Sequence, residues 1–495
     1  MDWASYPAFG DRVLSMVGIE VHWIILQLVL GLPLMAVIAE ILWLKTRDER
    51  WLRIAKTLAK GFVMVFAVGA AMGTAAEFGL ILLWPNLTEL AGKYIFFPLY
   101  AEIFAFMMEV VFVYMFYYAW DKLPEKVHVL VGILAIIGAW FSATMIMSVN
   151  AYMQAPTGIL LGSYADHFPK LILYVPNGIV AVLNVTSLKA AGMDVLGKYD
   201  GGVIVAMPSE IVRAVVSDAI SGKTLHQSIL WRFVTDESLA NVSVMSILDS
   251  IMRETVRHEG VTTITFKSPV FIPSVLHAIG SGLVVSAFTA MAFYGYSARR
   301  RGRDVAKLGF KYALLFSLVS LAFQGMVSGH EMGVAVAEWN KEKFSAILYG
   351  SPPIVEKIET TLAGVDAIGY DEIPKWLRPP TLIHWLYYAK ITLAVLLGLS
   401  TVILAYLTFV KKREVFGSYL LVFPVVAQVV SFLGWAVREI GRKPWTIYGV
   451  MDVKTAHTIN PPPPYVEVIV SVYFVAVLSV LIYGVYRFLW RCEEC

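Results

Sequence analysis

Nine stretches of the chain are long and apolar enough to cross a bilayer: about 18–44, 61–84, 97–119, 127–149, 270–296, 308–328, 382–410, 415–436 and 464–489. A crossing helix needs about 20 such residues, because the hydrocarbon layer is about 30 Å thick and a helix rises about 1.5 Å per residue. The pattern predicts an all-α polytopic membrane protein, a bundle of about nine transmembrane helices. The polar connections between the stretches alternate in charge. Lys45, Arg47, Arg50, Arg53, Lys56 and Lys60 follow the first stretch. On the same side come Lys122 and Lys126, then Arg299, Arg300, Arg301, Arg303 and Lys307, then Lys411, Lys412 and Arg413, and finally Arg487 and Arg491. The positive-inside rule puts these in the cytoplasm, with the C-terminus. The N-terminus and the segments 85–96, 150–269, 329–381 and 437–463 are then expected outside a cell membrane.

This order divides the chain into 1–149 (four spans), 150–269 (an outer insertion), 270–328 (two spans), 329–381 (a second outer loop) and 382–495 (three spans). The insertion has strand-like runs at Leu171–Val175 and Val261–Phe266. It also has helical patterns from Ser209, a capping residue, to Ile220 and over Ser243–His258. It reads as a small mixed α/β insertion, a lid on the outer face. The second loop, with Pro352, Pro353, Pro374, Pro379 and Pro380, reads as an ordered surface loop.

Composition narrows the class further. Of 495 residues, 58% are hydrophobic and 16% charged, which excludes an ordinary soluble domain. A net charge of +3 suggests no nucleic-acid partner; the lipid bilayer is the partner the pattern demands. Cys492 and Cys495 lie together at the C-terminus, so no disulfide framework is implied, and two ligands on a tail make a weak metal site. The first dozen residues lack the basic-then-apolar pattern of a cleaved leader, so the first span is expected to be retained. Sequons at Asn86, Asn184 and Asn241 all fall in segments expected outside.

Ionisable residues inside spans are rare unless they pair, bind a metal or face a cavity. His22 stands in E-V-H-W and His277 in P-S-V-L-H-A-I-G-S-G. A neutral imidazole suits a haem iron; the alternative is a hydrogen-bonded core histidine. Ala278, Gly280, Ser281 and Gly282 let a flat group or a helix approach His277 closely. Glu102 and Glu109 are seven residues apart and share a helix face, and Glu77 lies in the preceding span. They suggest a proton relay, or else hydrogen-bonded carboxylic acids. The densest cluster is Gly434–Trp445, G-W-A-V-R-E-I-G-R-K-P-W. Its Trp435 and Trp445 could be interfacial belt residues, and its Glu439 could merely pair with Arg438 or Arg442.

That cluster resembles the signature of subunit I of the cytochrome bd quinol oxidases, in which a glycine–tryptophan pair, a glutamate and G-R-x-P-W follow at this spacing. The resemblance extends over all nine spans. It implies a haem-bearing terminal oxidase subunit that oxidises quinol at the outer face and reduces oxygen to water with protons from the cytoplasm. It implies that His22 and Glu439 ligate the two haems of the oxygen site, a high-spin haem b and a haem d or third haem b. Arg442 then meets propionates, Trp435 stands between haems, and Trp445 closes the motif beside the cofactors. His277 matches a ligand of the low-spin haem b. Glu109, Glu102 and Glu77 match acids of the proton path. A second membrane subunit is implied as partner.

Two departures stand out. The low-spin haem's second ligand in the family is a methionine two residues after an arginine; here Lys390 and Thr392 occupy those places. Threonine is a poor ligand, so this haem is expected to be altered or absent. His384, His330 and Met332 are the other candidates, but His384 is about 12 Å along the helix from Thr392. The family's quinol lysine matches Lys343, but its glutamate partner is replaced by Leu348, which cannot accept a proton. A bd-like subunit with a non-quinol donor is therefore one alternative, and a haem-free transporter or a haem-based sensor are alternatives from different classes.

Overall fold

The computed structural model describes residues 10–94, 96–155, 170–175, 194–199, 202–208, 268–367, 369–373, 378–448, 451–456 and 464–491. The expected strand Val261–Phe266, the helical patterns at 209–220 and 243–258, the sequons at Asn184 and Asn241, and both cysteines lie outside these residues. The chain is a bundle of long helices. They are α1 (Gly10–Thr46), α2 (Glu49–Leu83), a short α3 (Pro85–Tyr94), α4 (Phe96–Tyr118) and α5 (Glu125–Gln154). Then come α6 (Phe271–Arg301) and α7 (Asp304–Trp339). Short helices α8 (Lys341–Leu348) and α9 (Pro353–Ala363) precede α10 (Leu382–Val410) and α11 (Val422–Ile440). Among the described residues, eight helices are long and apolar enough to span a membrane. The ninth expected span is the helix Pro464–Arg491, whose described apolar stretch is Ser471–Gly484.

Two segments expected as loops are largely helical. Of the basic residues after the first span, Lys45 ends α1 and Arg50, Arg53, Lys56 and Lys60 sit in α2, which starts at Glu49 behind an Asp48 cap that accepts the Arg50 amide. Only a short break separates α1 from α2, because a helix needs no apolar surface once it leaves the hydrocarbon. The segment 329–381 likewise begins as helix. α7 runs on for 36 residues through a π-helical turn, Phe323–Ser328, and α8 and α9 follow. Every residue of α8 after Lys341 is enclosed, from Glu342 to Leu348.

α1 is the centre of the bundle and touches α2, α5, α6 and α11. It is largely apolar and largely buried: Ile25, Val29, Leu30, Met35, Ala36 and Ala39 are enclosed, together with the polar Glu20, Gln27 and Glu40. Small residues let α6 close on it. A Cβ on Gly282 would lie 2.8 Å from the Cβ of Leu30, so only glycine fits at that crossing. α10, α11 and the last helix instead turn apolar side chains outward, among them Val395, Leu399, Val425 and Val468, as lipid-facing helices do. Ion pairs Arg47–Glu125 (2.8 Å) and Lys56–Asp121 (3.6 Å) tie connections at the end of the bundle where α1 meets α2. The insertion contributes a three-stranded antiparallel sheet in the order β1 (Lys170–Val175), β3 (Gly202–Pro208), β2 (Asp194–Tyr199). β1 matches the first expected strand.

Candidate functional site

The start of α1 and α6 and the ends of α5, α7 and α11 meet at one end of the bundle, and the G-W-A-V-R-E-I-G-R-K-P-W segment closes it. Trp23 of α1 stacks on Trp435 of α11, centroids 5.4 Å apart, and donates to Ser431 Oγ at 3.0 Å. Gln27 also donates to Ser431. These contacts set the two helices against each other next to His22. The His22 Nδ1 lies 3.1 Å from the Gly69 carbonyl of α2. An imidazole held by Nδ1–H to a carbonyl presents Nε2 as the lone-pair nitrogen. Gly73, one turn further, leaves room for the ring: a Cβ there would be 2.8 Å from His22 Cε1.

Glu439 is held from two sides. Asn150 Nδ2 donates to its Oε1 at 3.1 Å, and Arg442 donates to Oε2. Asn150 is bifunctional, since its Oδ1 accepts from Arg438 Nε. Arg438 reaches on to Ser274 Oγ (3.0 Å) and Met332 Sδ (3.7 Å), so one guanidinium gathers α5, α6 and α7. Glu20, buried two residues before His22, lies near enough to Glu439 for the two carboxyls to interact, and its Oε2 has no hydrogen-bond partner. Trp445 is buried in β4 (Trp445–Ile447), its amide bonded to the Arg442 carbonyl at 3.0 Å.

Arg442 is 3% exposed, and both its Nε and Nη1 are buried without a partner. Burial lowers its pKa and the Glu439 carboxylate works against that; a guanidinium remains charged regardless. Two orphaned donors on a buried cation are costly unless an anionic group meets them. Together with the free Nε2 of His22 and a carboxylate with unused lone pairs, they fit a group carrying both a metal and carboxylates.

Lys343 is not a solvated charge. It is 2% exposed, packs against Gly441, and donates to the Arg438 carbonyl at 3.1 Å. Gln154 Nε2 approaches the same carbonyl. Both satisfy the last turn of α11, where carbonyls lack helical partners. Burial first, and the Arg438 charge second, push the ammonium of Lys343 well below its usual range. Leu348 packs with Ala337 and Phe344.

His277 stands one turn along α6 from Ser274. The Gln324 amide nitrogen, in the π turn, lies 3.2 Å from its Nδ1. Lys390 and Arg438 both act on it electrostatically, a cationic setting that fits an anionic group. Thr392 is exposed on α10. His384 Nδ1 is engaged by the Ile347 carbonyl at 2.8 Å, His330 is exposed, and Met332 lies against Ser274 and Arg438.

The acids run down the α4–α5 seam. Glu102 accepts from Ser142 at 3.0 Å and feels the charge of Glu77, itself exposed on α2. Glu109 is 4% exposed, its Oε1 has no partner, and its backbone abuts Gly138. Beyond it, His128 Nδ1 lies 2.7 Å from Glu40 Oε1 and its Nε2 2.9 Å from the Phe116 carbonyl. Sequence reasoning missed Asn150, Glu20, Gln324 and this pair. Glu20, Glu40 and His128 carried a signal, being ionisable residues within apolar stretches; Asn150 and Gln324 carried none.

A family model described as cytochrome bd terminal oxidase subunit I matches residues 11–227, 249–350 and 352–493. The chain is 25% identical over 472 residues to a Bacillus subtilis (strain 168) protein named "Putative cytochrome bd menaquinol oxidase subunit I", covering 93% of each. It is 23% identical over 456 residues to the cytochrome bd ubiquinol oxidase subunit 1 of the same organism, covering 89% of this chain and 83% of that one. The bd oxidase of Geobacillus thermodenitrificans has a similar fold, with a TM-score of 0.69, 20% identity and 98% of each chain covered.

Proposed function

The chain belongs to the cytochrome bd terminal oxidase subunit I family, and from that premise we propose that it is the haem-bearing catalytic subunit of a quinol:oxygen oxidoreductase. It works in the cell membrane with a second membrane subunit. The end of the bundle that carries Glu439 faces outward, the C-terminus faces the cytoplasm, and the sheet of the insertion lies on the outer face. Quinol is oxidised at the outer side, and oxygen is reduced to water with protons drawn from the cytoplasm.

The observation that carries this reading is the pair of unpartnered N–H groups on buried Arg442 beside Glu439, at the same end as the free nitrogen of His22. His22 and Glu439 would hold the haems of the oxygen site, a high-spin haem b with a haem d or third haem b. Arg442 would meet their propionates, with Trp435 between haems and Trp445 closing the segment. The haems supply one-electron chemistry and the place where oxygen binds. The chain's residues do the rest. Asn150 and Arg442 fix the Glu439 carboxylate. Glu77 on α2, with Glu102 and Glu109 on α4, would hold and pass protons. His277 would hold the low-spin haem b, with Lys390 offsetting its charge; exposed Thr392 would leave it without the family's sixth ligand.

A second reading is favoured by one observation: Lys343 is enclosed and bonded to backbone, and Leu348 lies in an apolar cluster. A bd-like subunit fed by a non-quinol donor would have no use for either as a quinol site. The test is a reduced-minus-oxidised spectrum with pyridine-haem quantitation on the purified complex, wild type against His277→Ala, followed by quinol-driven oxygen uptake. Three haems, one low-spin signal lost in the variant, and uptake with quinol are expected. Two haems and no uptake with quinol would move the assignment to the second reading. No haem would end the oxidase reading.

A further inference from the structure

We infer that dioxygen reaches the oxygen site from inside the bilayer, through an apolar groove between α1 and α5. The inference rests on the oxidase reading and adds to it the entry route of the gaseous substrate.

The groove is a cavity of about 540 Å³. Ile38 of α1, Ile137, Phe141 and Thr144 of α5 and Ile279 of α6 are among its walls. Ile137 (49%) and Phe141 (38%) stand exposed, so the groove opens on the surface of the bundle. Both lie near the middle of α5 (Glu125–Gln154), at a depth where that surface meets hydrocarbon rather than water. Two of the lining side chains carry polar groups, and each is already engaged. The Trp140 indole N–H donates to the Leu30 carbonyl at 2.9 Å, and the Thr144 hydroxyl donates to the Trp140 carbonyl at 2.6 Å. A cavity of this kind gives water nothing to bond to and accepts small apolar gases. Dioxygen is uncharged, a weak hydrogen-bond acceptor, and more soluble in hydrocarbon than in water.

The groove adjoins an apolar path to the site. Ile279 packs against the buried cluster of Trp23, Met147, Val275 and Ala278, and Trp435 packs against the same cluster. Met147 follows Thr144 by one turn of α5. Trp23 is next to His22 in the chain, and Trp435, which stacks on Trp23, precedes Glu439 by one turn. Apolar side chains therefore run without a break from the bilayer to the two expected ligands. The groups that grip Glu439 directly, Asn150 and Arg442, are polar and charged and offer no such path. The cluster itself is packed shut. Met147, unbranched and with several rotatable bonds, is the member able to yield to a passing diatomic molecule.

The experiment uses the whole complex in phospholipid nanodiscs. It reads the recombination rate of carbon monoxide after flash photolysis of the reduced complex, the KM for oxygen in steady-state uptake, and the melting temperature. Ile137→Trp and Thr144→Phe each fill the groove. Each is expected to slow recombination by about tenfold and to raise the KM for oxygen, with kcat at saturating oxygen unchanged. The comparison is made in whichever of the two keeps the wild-type melting temperature. Val395→Trp, on an exposed face of α10 away from the groove, is expected to match wild type. Wild-type recombination in the groove variants overturns the entry route, and so does equal slowing in Val395→Trp. A wild-type complex that holds no haem, or that consumes no oxygen, overturns the oxidase reading and the route with it.

Discussion

Glu439 is gripped by groups from two different elements, Asn150 of α5 and Arg442 of its own segment, and Asn150 is in turn fixed by Arg438. The neighbourhood of Lys390 is looser. Thr392 faces outward, the Tyr387–Glu359 contact is 3.5 Å long, and α9 encloses none of its residues. Both regions lie at the same end of the bundle and share Arg438 and Lys390 as electrostatic neighbours of His277. By the resemblance read from the sequence, the first matches the family's pattern and the second departs from it. A tightly cross-linked polar network tolerates few substitutions, because each member removed strands another. A site made of loose, half-exposed groups can be rebuilt one residue at a time.

Four variants test that contrast, from the strongest effect to the weakest. Glu439→Ala strands the buried Arg442 charge, so it is expected to abolish oxygen uptake and to destabilise the protein by about 3–5 kcal/mol, read by chemical or thermal unfolding. Stability near wild type would show that Glu439 is not the keystone of its region. Asn150→Ala removes one partner from Arg438 and one from Glu439, for an expected loss of about 1.5–3 kcal/mol on the same assay. Lys343→Met exchanges an enclosed amine for an apolar chain of similar length and is expected to be within about 1 kcal/mol of wild type at high pH. Its pH dependence has a definite sign. The folded-state pKa lies below the ordinary 10.5, so the unfolded chain binds more protons and wild-type stability falls as pH drops below that value. The variant lacks this slope and should gain on wild type from about pH 10 to pH 7. A parallel pair of curves would mean that Lys343 is charged when folded. Last, Thr392→Met puts the methionine that the resemblance implies on an exposed face, and no change in the reduced spectrum is expected. A new low-spin signal would show that the looser region differs from the family by one side chain only.

How much of this was legible in the sequence depended on which residues form runs. The spans were readable because hydrocarbon thickness imposes a minimum apolar length, and the helices Phe271–Arg301 and Leu382–Val410 fall within a few residues of their expected limits. What lay beyond the hydrocarbon was not. Arg50, Arg53 and Lys56 break an apolar run without breaking α2. Gly329 and Gly333 fall in the segment expected as a loop, yet α7 continues through both. At the site, His22, Glu439 and Arg442 were named together from a pattern that resembles the family's, and the structure places them at one end of the bundle. Asn150 was placed at the edge of an outer loop, since a lone amide has no periodicity and its role arises only when α5 and α11 meet. Lys343 was readable as a lysine but not as an enclosed one, because burial depends on Gly441, nearly a hundred residues away.

The π turn at Phe323–Ser328 has an effect on how α7 should be counted. In an ordinary helix each residue advances the surface by about 100°, so a wheel drawn from Asp304 fixes which side every later residue presents. A wide turn absorbs one extra residue without lengthening the helix proportionately, and everything after it is rotated relative to that wheel. Met332, which touches Arg438 and Ser274, owes its heading to this slip in phase. The two halves of α7 are thus set on different bearings: both pack on α6, and the second turns Met332 toward Arg438 and Ser274 at the site.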